Sequence, residues 1–94
     1  MPKAVWHGVT LAESDYVEVV DGYVYFPPET VNMEYLRESA TRTTCWWKGE
    51  ARYYTIEVDG HVNEDAAWVY PDPKEAAHNI HGFIAFWKGV DVVD

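Results

Sequence analysis

The sequence predicts a mainly β fold, a curled antiparallel sheet or small barrel of about six or seven strands with two short helices. Three observations predict it. Asp-Gly and Lys-Gly pairs punctuate the chain at hairpin spacing. The runs beside them are rich in Val, Ile, Tyr and Trp, which suit a half-buried pleated surface. No strand–helix–strand rhythm of a parallel sheet is present. A chain of 94 residues suits a single domain over residues 1–94, with one core and room for one pocket.

The elements follow in order. Asp21-Gly22 separates residues 16–20 from 23–26. Both residues of such a turn take positive φ, which Asp and Gly tolerate. A first short helix is expected over 33–38, after the loop Pro27-Pro28-Glu29-Thr30. Residues 51–58 and the strand opening at His61-Val62 flank Asp59-Gly60 as a second hairpin. A second helix is expected over 73–81. Asp72 suits its cap, Pro73 its first position, and Gly82 a left-handed end, while Ala76, Ala77 and Ile80 supply an apolar face. Lys88-Gly89 then separates 83–87 from 90–93 as a third hairpin. Trp68 and Phe86 are the expected core anchors.

Charge and cysteine content narrow the partners. Sixteen acidic and seven basic residues leave a net charge of −9 with no basic run. Such a surface repels polyanions, so nucleic acid and anionic membranes are not expected partners. A single cysteine allows no intrachain disulfide, and secreted domains of this size are usually stapled. The first residues carry no apolar signal core, and no run approaches membrane-spanning length. A cytoplasmic location is the expectation.

One segment, Thr43 to Glu50, gathers the chemistry-bearing residue types. Cys45 has Lys48 three positions on, and an ammonium near sulfur favours the reactive thiolate. The competing reading of Cys45 is a small buried hydrophobe. Trp46, Trp47, Lys48 and Gly49 form an aromatic, basic and flexible cluster that Tyr25, Tyr53, Tyr54, Trp68 and Tyr70 are placed to face. Aromatic walls with one cation suit a small anionic or aromatic ligand, although any one of these rings is as readily core. His78 and His81 share a helical face, but zinc wants three or four ligands and the sequence places none of His7, His61 or Cys45 beside them. No metal and no cofactor is therefore assigned. The carboxylate pairs Glu13/Asp15, Glu57/Asp59, Glu64/Asp65 and Asp91/Asp94 read as turns and solvated surface. No phosphate-cradling glycine loop, nucleophile elbow or Cys-x-x-Cys pair occurs.

Tyr25-Phe26-Pro27, Ser39, Cys45-x-Trp47-Lys48-Gly49-Glu50-Ala51-x-Tyr53, Ala66-Ala67-Trp68-x-Tyr70-x-x-Pro73, Ala77, Ile80, Gly82 and Ala85-Phe86 together resemble the bacterial family called domain of unknown function 427, DUF427. The resemblance spans nearly the whole chain. It implies a compact, mainly antiparallel β domain and no established activity. The family's centre reads Cys-Pro-aromatic-Lys-Gly, and Trp46 stands here in place of Pro, a difference that bears on the turn after Cys45. A nucleotidyltransferase-like label sometimes attached to the family finds no Gly-Ser turn with Asp-x-Asp ligands in this chain.

Two functions from different classes follow. In the first, strands curl around an aromatic cavity for a small molecule. Tyr25, Trp47, Gly49, Tyr53 and Trp68 line it, Lys48 holds an anionic group, and Cys45, Lys48 and Glu50 are the candidates for chemistry. In the second, the domain is a structural or interaction module that self-associates as a homodimer, with Cys45-Trp46-Trp47 in core or interface.

Overall fold

A computed structural model describes all 94 residues. Nine strands form two antiparallel sheets. In chain order they are β1 (Lys3–Trp6), β2 (Val9–Glu13), β3 (Glu18–Val20), β4 (Tyr23–Phe26), β5 (Leu36–Cys45), β6 (Gly49–Val58), β7 (His61–Val69), β8 (Ile84–Phe86) and β9 (Asp91–Val93). The small sheet runs β2-β1-β9 and the large one β3-β4-β8-β7-β6-β5. The large sheet ends on β3 and β5 and is not a closed barrel.

Two of the three expected hairpins form as read. Asp21 and Gly22 lie at φ 54° and 81°, and Asp59 and Gly60 at φ 49° and 82°. Both pairs have the doubly positive φ that a two-residue turn needs to match strand twist. Lys88-Gly89 has the same turn geometry at φ 53° and 86°, yet it joins no hairpin. β8 stays in the large sheet while β9 crosses to pair with β1, so the turn is a corner between sheets.

The two expected helices form within their spans, but shortened and as 3-10 turns. No α-helix forms; the helical turns are 3-10 turns at Pro28–Thr30, Met33–Tyr35 and Glu75–Ile80. The stretch 33–38 yields to a strand at Leu36, whose φ and ψ of −114° and 129° are already extended. At 73–81, Asp72 makes no cap, and Ala77 breaks the helical path at φ −116° and ψ 23°. Lys74 is still extended at φ −64° and ψ 160°, so the turn starts only at Glu75, and a run this short does not propagate. The three strands that the sequence reading did not place are β1, β2 and β5, where the sequence shows no strong apolar alternation.

Alternation along the strands divides the core between the two faces of the large sheet. One face carries Phe26, Ile56, Val58, Val69, Ile84 and Phe86 against Ala4, Leu11 and Ala12 of the small sheet. Phe26 and Phe86 meet edge to face at 5.9 Å. Burying a side chain of this size contributes roughly 1.5–3 kcal/mol. The other face carries Tyr25, Ala51, Trp68, Tyr70 and Ala85, capped by Ala77 and Ile80 of the last 3-10 turn. Trp68 and Phe86 are both buried, on opposite faces. No helix is long and apolar enough to cross a membrane.

Candidate functional site

The second face is built from one rung of the sheet. Tyr25 pairs with Ala85, Ala85 with Trp68, and Trp68 with Tyr53, so four neighbouring strands place these side chains in a row. The period-two pleat sends all four to the same side. Ala85 is small, and across the gap it leaves the Trp68 indole N–H donates to the Tyr25 hydroxyl at 3.1 Å. Tyr23 and Trp87 each meet Trp68 edge to face, at 4.9 and 5.8 Å. These rings line an open cavity of about 180 Å³ walled by Tyr23, Tyr25, Tyr53, Trp68, Tyr70 and Trp87. Asp21 and Lys48 complete its lining.

The two charged groups arrive from different loops. Asp21 sits in the β3–β4 turn and Lys48 in the loop between β5 and β6. Lys48 Nζ donates to Asp21 Oδ2 at 2.7 Å. Asp21 is half exposed, whereas Lys48 is only 8% exposed. The ammonium lies 4.5 Å from the Trp47 ring centroid and 5.8 Å from that of Tyr70. Burial works against its charge, but the Asp21 carboxylate and the ionisable Tyr70 and Cys45 raise its pKa overall.

The loop is pinned from behind. Cys45 pairs with Gly49 across its base. The Lys74 backbone N–H donates to the Lys48 carbonyl at 2.9 Å, and Lys74 Nζ donates to the Trp46 carbonyl at 2.6 Å. Gly49 lies at φ 114°, where only glycine is at ease. Trp47 turns inward against the aromatic cluster. Trp46 points out and is 82% exposed.

Five of the sequence-derived residues line the cavity: Tyr25, Lys48, Tyr53, Trp68 and Tyr70. Four do not. Trp47 backs Lys48, and Gly49 shapes the loop. Glu50 points to the opposite side of its strand, towards Arg42 and Arg52 at 4.0 and 3.6 Å. Cys45 is half-buried at the edge of the aromatic cluster, outside the cavity lining. Burial disfavours its thiolate, but hydrogen bonds from the Trp47 and Lys48 backbone and the Lys48 ammonium prevail and hold the thiol below its ordinary range. Tyr54 packs on the other face.

Asp21, Tyr23 and Trp87 were not among the sequence candidates. Asp21 reads in sequence as turn chemistry alone, and Tyr23 and Trp87 flank turns. Strand alternation carries the signal for Tyr23, two residues before Tyr25. Tyr70, anticipated as a facing aromatic, has its hydroxyl pushed up to about 12 by burial. The His78 and His81 rings lie 6.2 Å apart, and His7 stacks on His61 at 4.1 Å. No group of three or more His, Cys, Asp or Glu comes together to hold a metal.

A mainly β domain with an aromatic cavity lined at one end by an ion pair is the class that fold and site define. The chain matches the family model described as "Domain of unknown function (DUF427)" over residues 3–94, and it belongs to that family. A comparison with curated proteins finds no match.

Proposed function

We propose that this domain binds a small planar molecule in the cavity between Tyr23, Tyr25, Tyr53, Trp68, Tyr70 and Trp87. The observation that carries the reading is the composition of that wall: six aromatic side chains and one ion pair around about 180 Å³. Binding sites are typically concave and apolar, with a few polar groups that fix orientation. The volume suits one ring. Asp21 sits 2.7 Å from the Lys48 ammonium, which argues for a neutral ligand over an anionic one. Binding is favoured over catalysis because Cys45 and Glu50 stand off the lining.

Ligand-induced stabilisation of the fold tests this. Single-ring planar compounds should raise the melting temperature of the wild type in proportion to occupancy. Tyr23→Ala, which removes a half-exposed wall without opening the core, should abolish the shift. An equal shift in Tyr23→Ala would place the binding elsewhere.

A second reading rests on Trp46, an indole 82% exposed on a pinned loop. Such a residue suits an anchor in self-association, since Trp is enriched at binding hot spots. Sedimentation velocity on the wild type and Trp46→Ser decides it. A dimer lost in the variant supports it, and a monomer in both overturns it.

A further inference from the structure

We propose that the cavity takes a neutral, single-ring cyclic amide, its N–H set against Asp21 and its carbonyl against Lys48. The inference rests on reading the cavity as a binding site and adds the class of ligand.

The polar end of the cavity is a donor beside an acceptor. Lys48 Nζ and Asp21 Oδ2 are 2.7 Å apart, and both residues belong to the lining. An ammonium carries three N–H donors. Asp21 takes one. The ring faces of Trp47 and Tyr70 stabilise the charge without supplying a lone-pair acceptor. Two donors of a nine-tenths-buried side chain are left, and the cavity that Lys48 lines is where an acceptor can reach them. On the other side, the half-exposed Asp21 carboxylate keeps one oxygen beyond the pair.

Charge then selects among ligands. An anion meets the Asp21 carboxylate, and a cation meets the Lys48 ammonium. A zwitterion brings two further charges against aromatic walls, each with a desolvation cost. A neutral molecule with its own donor and acceptor side by side satisfies both groups without adding charge. A cyclic amide in a conjugated ring is that edge, and such a ring is planar, so its faces pack on the rings of the wall. A cavity of about 180 Å³ holds one ring, well below the space a drug-sized ligand fills.

Calorimetric titration with uracil, 1,3-dimethyluracil and benzoate tests the ligand class. The dimethyl compound keeps the plane and the carbonyls but lacks the N–H, and benzoate is a planar anion. Uracil should bind the wild type at least about tenfold more tightly than either, because a site built for a hydrogen bond rejects the analogue lacking it. In Asp21→Gly, whose Gly-Gly turn keeps the hairpin, the preference over dimethyluracil should shrink to about threefold or less. Lys48→Met should weaken uracil at least about tenfold. If dimethyluracil or benzoate matches uracil on the wild type, the amide class is overturned while the binding site stands. If none of the three binds at millimolar concentration, both fall. The wild-type comparison decides even where a variant fails to fold.

Discussion

The Trp68 indole N–H donates to the Tyr25 hydroxyl at 3.1 Å, joining β7 to β4 across β8. Both residues are buried, and Ala85 between them provides the space. This bond fixes the floor of the cavity. Tyr25→Phe leaves the indole N–H unpaired in the same space. The variant should lose about 1–3 kcal/mol of stability, the cost of a buried donor without a partner. Urea denaturation measures it. An unchanged midpoint would show that the Trp68 N–H finds another acceptor.

Much of this floor is legible in the sequence. Tyr25 and Trp68 stand on runs with clear strand composition beside Asp-Gly turns. Asp21-Gly22 and Asp59-Gly60 mark their hairpins because their φ demands are local. Three things are not local. β5 runs through Arg37-Glu38-Ser39-Ala40-Thr41-Arg42, nearly all solvent-facing, so it carries no apolar alternation. The Lys88-Gly89 turn looks like a hairpin, and only the pairing of β9 with β1 makes it a corner. The role of Asp21 in the site depends on Lys48, 27 residues away.

Gly49 tests the loop. At φ 114° an alanine is strained, although its Cβ would meet Asp72 and Lys74 backbone only at ordinary distances of 3.5 Å. Gly49→Ala should therefore cost about 1–3 kcal/mol through backbone conformation. Chemical denaturation reads this directly. A loss below about 0.5 kcal/mol would mean that the loop relaxes around the substitution.

Cys45 tests the electrostatics behind Lys48. Its thiol lies below its ordinary range; burial opposes this, while the Trp47 and Lys48 backbone N–H groups and the Lys48 ammonium produce it. Alkylation of the native protein by a small reagent should proceed at neutral pH, with a pH–rate midpoint below that of a free thiol. Lys48→Met should move the midpoint up. Labelling that appears only in denaturant would contradict the placement of Cys45 at the edge of the cluster.

Tyr70 tests the dryness of the cavity. Burial raises its hydroxyl from 10.0 to about 12 in the folded protein. The native state therefore holds the proton where the unfolded chain releases it. That contribution to stability is complete below pH 10 and is lost as the pH climbs towards about 12. Denaturation midpoints measured between pH 9 and 12 should fall less steeply in Tyr70→Phe than in the wild type. Parallel curves would show that Tyr70 is open to water.

The central claim is that a planar ring enters the cavity that Trp68 and Trp87 help to wall. Indole N–H resonances of the five tryptophans report it within one spectrum. During titration with uracil, the Trp68 and Trp87 signals should shift together and saturate. The Trp46 signal, from an indole exposed on the outer loop, should stay in place. Saturable shifts at Trp68 and Trp87 alone are the predicted result. No movement at either at millimolar uracil, or movement confined to Trp46, would contradict it.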